Sequence, residues 1–256
     1  MGIDEKDFPF DQAIQQIGYW KNTMKAPTDI HPDDDWEEKA LSLYKYYEEQ
    51  KRERGQFDFD DMLVKCYEML RENPRVLEAY QKRFRYFLID EFQDINPVQY
   101  KLIKLLSNHT NNICGVGDDD QTIYSFRGSE PAFILNFKEE YPDATIITLS
   151  SNYRSDHHIV SSANEVISKN KLRLSKKMYA QFQTDQLPVC FFPYDEEEEA
   201  TLIVNDIKEK IEAGANPNEF VILYRTHTGG RAVFERFVQS SIPFIIEKEQ
   251  SSFYER

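Results

Sequence analysis

Two acids, Asp90 and Glu91, stand directly after the short apolar run Phe84–Ile89. A run of that length bounded by polar residues reads as a strand, and ligands in parallel α/β sheets bind outside the carboxyl ends of strands. There, one carboxylate could hold Mg²⁺ through water. Its neighbour could orient and deprotonate a water attacking a nucleotide phosphate. A pair of solvated turn acids fits the same residues. Further on, Gly115-Val116-Gly117-Asp118-Asp119-Asp120-Gln121 again follows an apolar run, Asn112–Val116, and falls on the same expected rim. Gln121 could reach a γ-phosphate. Tyr124 and Phe126 alternate with polar residues as base-stacking rings would, although core packing gives the same spacing. Three successive aspartates could suggest a Ca²⁺ loop, but the D-x-[DN]-x-[DN]-G pattern closed by glutamate is missing. A third run, Thr145–Leu149, leads into Ser150–Ser155. Arg154 there could stabilise charge on a transferring phosphate, or be a surface ion-pair partner, and Tyr153 could stack on a base.

The elements that would position these groups follow from periodicity. Residues 1–80 read as helices: Trp36, Ala40, Leu43, Tyr44 and Tyr47 recur at helical steps, as do Met62, Leu63, Tyr67 and Leu70. Asn73-Pro74 starts another short helix. From residue 84 strands and helices alternate. Asn96-Pro97 supplies an N-cap and an N1 proline for a helix burying Val98, Leu102, Leu105 and Leu106. Ser129-Glu130-Pro131 opens another through Phe137, and a further helix carries Ile159, Val160, Ala163, Val166 and Ile167 on one face. That order predicts a largely parallel sheet covered on both faces. After the lysine-rich stretch Lys169–Gln186, a second α/β unit is expected: strands at Val189–Phe192, Phe220–Tyr224 and Pro243–Ile246, and helices at Ala200–Ile211 and Gly229–Gln239.

The chain has 256 residues, 40% hydrophobic and 30% charged, enough for one large or two modest domains. No apolar run approaches the roughly 20 residues that span a bilayer, and the start, MGIDEKDFPF, has no secretory pattern. Cys66, Cys114 and Cys190 lie far apart without metal-type spacing, which predicts reduced structural thiols and a cytoplasmic protein. The net charge of −14 would discourage nucleic acid, but the acid sits in runs such as Asp33–Asp35 and Asp195–Glu199, read as solvated surface. A DNA track needs only a local basic and aromatic lining.

Taken together, IDEFQD, VGDDDQTIYSFRGS and LSSNYRS, in this order and spacing, resemble motifs II, III and IV of superfamily-one helicases of the UvrD/Rep/PcrA group. FDFDDML resembles the segment preceding motif II. VILYRT at 221–226 resembles the start of the second core domain, and IPFII with FYER its junction with the inserted 2B subdomain. The resemblance implies an α/β, RecA-like fold of the P-loop NTPase kind. It also implies ATP-driven 3′-to-5′ movement on single-stranded DNA with unwinding at duplex junctions. Asp90 would coordinate Mg²⁺ and Glu91 would be the catalytic base. Gln121 would sense the γ-phosphate, Tyr124 and Phe126 would stack on bases, and Arg127 would couple the two sites. Phe126 departs from the tryptophan common in the family. Tyr153 would lie near the nucleotide base, Arg154 would be an arginine finger, and Tyr224 and Arg225 would contact DNA from the second core domain.

None of the nine glycines is followed by lysine, so the phosphate-binding loop G-x-x-x-x-G-K-[ST] is not present, nor are the family's final motifs. The expected organisation is therefore an internal segment that needs the other helicase segments of its parent. Residues 1–80 would be the helical part of the 1B subdomain, 81–180 the later half of the first core domain, and 181–256 the opening of the second. The rival readings are a truncated, non-catalytic DNA- or partner-binding relative and the helicase part of a helicase–nuclease.

Overall fold

The computed structural model describes residues 8–226 and 229–246, the side chain of Arg127 excepted. It comprises two compact units, Met1–Gln183 and Thr184–Arg256. The FYER segment lies outside the described residues.

The first unit opens with four helices, α1 (Phe10–Asn22), α2 (Asp35–Arg54), α3 (Phe59–Glu72) and α4 (Pro74–Arg83). The acidic run at 33–35 is more than solvated surface: Asp34 caps α2 by accepting from the Glu37 amide. Gly55, at φ 61°, ends that helix in the left-handed conformation that favours glycine. Ala40, Leu41 and Tyr44 of α2 pack with Ala13, Ile17 and Trp20 of α1, and the Trp20 and Tyr44 rings stack at 5.9 Å. Tyr47 and Met62, expected on buried faces, are exposed.

In FDFDD the pattern inverts, with Phe57 and Phe59 exposed and Asp61 buried. The cause is a buried cationic pair. Lys21 donates to Asp58 and Asp61, each at 2.6 Å, and Lys51 donates to the same carboxylates at 2.8 and 2.5 Å. Burial alone would raise both carboxyls, but the lysine hydrogen bonds override it and hold both well below the usual range. Burial likewise pushes Lys51 down, and its bonds to Asp58, Asp61 and Glu48 carry it above its ordinary value.

Two small parallel sheets follow. Strand β1 (Phe87–Ile89) pairs with β2 (Ile113–Gly115) in the register Phe87–Ile113, Leu88–Cys114, Ile89–Gly115. Helix α5 (Pro97–Ser107) makes the crossover that parallel pairing requires. It is capped by a reciprocal box in which Asn96 accepts from the Gln99 amide and Gln99 from the Asn96 amide. The expected helix through Phe137 is split into α6 (Ala132–Leu135) and α7 (Phe137–Glu140). In α5 the buried residues are Val98, Tyr100 and Ser107, while the three leucines are only half-buried. Phe92, Ile95 and Tyr100 form the local core, with Phe137 edge-on to Phe92 and Phe133 stacked on Tyr100. The sheet is not covered on both faces: Leu88 is 80% exposed, because among the described residues the packing lies on the Ile89 side.

The strand expected at Thr145–Leu149 does not form. Ser151–Asp156 is the strand instead, β3, and its partner is β4 (Tyr179–Phe182), joined through α8 (His157–Ile167). The first two expected strands therefore pair with each other, and the segment after the third run belongs to a different sheet. Within α8 only Val160 is buried, whereas Ile159 and Val166 are exposed. The lysine-rich stretch is no spacer. Arg173 binds both oxygens of Asp120, at 2.8 and 2.6 Å, and the Leu174 amide donates to Asp119 at 2.7 Å. Lys176 pairs with Asp118 and Asp119.

The second unit packs α9 (Glu196–Glu212) on α10 (Gly230–Ser240) through Ala200, Val204, Ile207, Val233 and Phe237. Asp195 caps α9, and the four glutamates after it fill its first turn, where the helix dipole favours negative charge. The expected strands at 189–192, 220–224 and 243–246 carry no ladder among the described residues. Phe220 and Ile222 nonetheless pack against the helices while Val221 and Leu223 are exposed, the alternation of an extended segment. All three cysteines are free and exposed.

Candidate functional site

The site is built at the carboxyl edge of the β1–β2 pair. Because the strands run parallel, Asp90 and the turn beginning at Val116 leave the sheet on the same side. The pairing continues past both strands, with the Val116 amide donating to Ile89 O at 2.8 Å and the Phe92 amide to Val116 O at 2.9 Å. Glu91 takes a left-handed backbone, φ 49° and ψ 44°, a costly conformation for a non-glycine residue that is held by its surroundings. One of these is Asp90, whose Oδ1 accepts from the Glu91 amide at 3.0 Å. Both carboxylates are exposed, and among the described residues neither is in a salt bridge. The Asp94 carboxyl is raised above its ordinary value by burial and by the nearby Glu91 charge.

The turn Asp119–Gln121 follows β2. Gln121 donates through Nε2 to Asp118 Oδ2 at 2.8 Å, and its side chain is exposed. Burial raises Asp118, but Lys176 and Gln121 outweigh it and hold the carboxyl low. The three aspartates that resembled a Ca²⁺ loop are instead neutralised by Lys176 and Arg173.

The loop then presents Tyr124 and Phe126, 38% and 63% exposed, with ring centroids 5.9 Å apart. Neither ring is a core residue. Gly128, at φ 83°, closes this loop and lies where a Cβ would meet Thr23 Cγ2 at 3.3 Å. Ser129 anchors the far side by donating to Asp94 O at 2.7 Å. The Arg127 side chain lies outside the described residues.

Asp90, Glu91 and Gln121 thus share one sheet edge, but Arg154 does not follow a strand of that sheet. It lies inside β3, exposed beside Tyr153, with its amide bound to Asn152 Oδ1 at 2.9 Å. The expectation of one sheet failed because the apolar run 145–149 forms no ladder and the polar segment after it does. In the second unit Tyr224 is half-exposed and its ring lies over Gly230, where a Cβ would come within 2.9 Å; Arg225 is exposed.

Gln93, to which the sequence assigned no role, occupies the middle of the site. It is 1% exposed and bonds to Glu91 and Asp118. A polar residue two places beyond the acids was the available signal, but nothing local distinguished it from a surface glutamine.

Residues 1–142 match the family model of the UvrD/REP helicase N-terminal domain, and 147–256 that of the UvrD-like helicase C-terminal domain. The second stretch includes Tyr153 and Arg154. The chain is 57% identical over 255 residues to the protein YjcD of Bacillus subtilis (strain 168), covering all of this chain and 34% of that protein. It is 37% identical over 256 residues to the ATP-dependent DNA helicase PcrA of Staphylococcus epidermidis, covering 99% of this chain and 35% of PcrA. To the DNA helicase II of Haemophilus influenzae it is 35% identical over 245 residues, covering 95% of this chain and 34% of that protein. The chain thus spans about a third of the length of these relatives. With the N-terminal model alone matching more than half of its residues, the chain belongs to the UvrD/REP helicase family.

Proposed function

We propose that this chain supplies part of an ATP-dependent DNA helicase, in which hydrolysis drives 3′-to-5′ movement along single-stranded DNA and duplex unwinding. The observation that carries the reading is the joint placement of two kinds of group. Asp90, Glu91 and Gln121 share one sheet edge, and the loop that continues from Gln121 carries the exposed ring pair Tyr124 and Phe126. Glu91 takes a proton from the attacking water, and Gln121 contacts the γ-phosphate and exchanges that contact for Asp118. The rings offer stacking platforms to bases, with Arg127 between the two functions.

The exposed carboxylate of Asp90 is a hard oxygen donor free of cationic partners among the described residues, which suits Mg²⁺. The ion, when bound, neutralises phosphate charge. Tyr153 and Arg154 complete the nucleotide side and Tyr224 and Arg225 the DNA side in the whole protein. Residues 1–80 belong to the helical part of the 1B subdomain, 81–180 to the later half of the first RecA-like core, and 181–256 to the opening of the second. The protein works in the cytoplasm. Among the described residues no helix is long and apolar enough to cross a membrane.

The 256-residue chain by itself does not hydrolyse ATP at a helicase-like rate. Glu91 activates water, but no glycine–lysine loop grips the β- and γ-phosphates, and positioning with electrostatics supplies nearly all of phosphoryl-transfer catalysis. The test is steady-state hydrolysis with saturating single-stranded DNA, comparing the chain, the whole protein that carries it, and Glu91→Gln in each. DNA-stimulated turnover in the whole protein, lost on Glu91→Gln and missing from the chain, is the expected result. Robust turnover by the chain that disappears in Glu91→Gln would mean that other residues hold the phosphates.

A further inference from the structure

Gln93 is buried, polar and fully engaged at both ends of its side chain. Nε2 donates to Glu91 Oε2 at 2.8 Å and to Asp94 Oδ2 at 3.3 Å, while Oε1 accepts from the Asp118 amide at 3.0 Å. Asp118 in turn receives Gln121 Nε2 on its Oδ2 at 2.8 Å. The amide has one workable orientation: reversed, it would set an oxygen against two carboxylates and an NH₂ against an N–H donor. The amide is also closely packed, since a Cβ at Gly117 would lie 2.6 Å from Gln93 Oε1. Among the described residues, the bond from Gln93 is the only hydrogen bond received by the Glu91 carboxylate, which is otherwise exposed on a strained backbone.

We propose that Gln93 is a positioning residue that ties the Glu91 carboxylate to the Asp118–Gln121 turn, so that the base and the phosphate-sensing glutamine are set by one hydrogen-bonded chain. The chain runs Glu91, Gln93, Asp118, Gln121. When Gln121 leaves Asp118 for a phosphate, the Asp118 end of the chain loosens, and Gln93 carries that change to the carboxylate that must meet the water. The DNA loop follows Gln121 directly, so displacement at Tyr124 and Phe126 reaches Glu91 by the same route. This rests on reading Glu91 as the water-activating base.

The test uses the whole protein that carries this chain, with ATP varied at saturating single-stranded DNA and without DNA. Gln93→Leu removes both amide contacts at similar volume, and Gln93→Glu turns an oxygen toward Glu91. Gly117→Ala displaces the amide without altering it. Misplacing a reacting group by about 1 Å costs on the order of 100-fold. Each variant is therefore expected to lower kcat roughly 10- to 100-fold with the KM for ATP within about threefold of wild type, and to erase most of the DNA stimulation. If Gln93→Leu gives no folded protein, the other two decide by the same split. Wild-type kcat and DNA stimulation in a folded variant, or kcat and KM worsening together, would overturn the coupling role. Glu91→Gln is the separate arm, since full turnover there removes the base assignment itself. A readout independent of hydrolysis is side-chain amide NMR on the 256-residue chain. The Gln93 Nε2 protons should exchange slowly and shift on Glu91→Gln, and exchange at the free-solvent rate would dispose of the contact.

Discussion

Asn96 donates through Nδ2 to Asn22 Oδ1 at 2.8 Å, joining the start of α5 to the end of α1 across 74 positions of sequence. Asn22 also donates to Asp60 Oδ1 at 2.9 Å, so one amide links α1, α3 and the segment that follows the Asp90–Glu91 pair. Replacing Asn22 by leucine leaves the half-buried Asp60 and the buried Asn96 without that partner. The expected cost is about 1–2 kcal/mol. Both tryptophans, Trp20 and Trp36, lie on α1 and α2, so urea unfolding followed by fluorescence reads this directly. An unchanged midpoint would show that the link contributes nothing.

Lys21→Met should be far more damaging, because it leaves the half-buried Asp58 and the buried Asp61 with Lys51 as their one remaining lysine partner among the described residues. Removing one partner of a buried ion pair costs about 3–5 kcal/mol, against about 0–1 kcal/mol for an exposed pair such as Lys208–Glu212. Lys208→Met, assayed the same way, is the comparison. Equal losses in the two variants would contradict the assignment.

The same cluster sets a pH dependence. Asp58 and Asp61 are held low, so their contribution is complete above the ordinary carboxyl value of about 3.9 and is lost as pH falls through their lower folded values. Lys51 is raised, so its contribution is complete below about 10.4 and fades only at higher pH. Urea midpoints should hold level across the neutral range and drop in acid. In Asp58→Asn that acid dependence should shrink.

Tyr124→Ala and Phe126→Ala should each weaken binding of a fluorescent single-stranded oligonucleotide by about 1–3 kcal/mol without shifting the unfolding midpoint, since stacking is lost and no core is opened. Phe126→Trp should tighten it. Anisotropy titrations of the whole protein measure this, and an unaltered affinity in both alanine variants would remove the stacking role.

Arg173→Met should loosen the segment that latches onto the three aspartates, because it removes the bidentate pair with Asp120 and leaves the ion pairs of Lys176. Hydrogen exchange is expected to accelerate at Leu174, whose amide donates to Asp119 at 2.7 Å, while α1 and α2 are unaffected. Unchanged protection there would show that the bidentate pair does not hold the segment.

The sequence by itself determined what is local. Asn96 caps a helix by accepting from an amide three residues away, so residue type and spacing were enough to place the start of α5, whereas Asp34 and Asp195, read as solvated surface, cap α2 and α9 in the same way. The two acids closing an apolar run and the turn after the next run were legible for the same reason, as was the family through its motifs. The tertiary structure decided the rest. Whether an apolar run becomes a strand depends on a neighbour to pair with, which 145–149 lacks and the polar Ser151–Asp156 has in Tyr179–Phe182. Whether a glutamine or a lysine is buried depends on partners brought from afar. Asp118 lies 25 positions from Gln93, and Asp58 lies 37 from Lys21. Burial of such groups is tolerable only where the fold delivers those partners, and no short stretch of sequence contains that information.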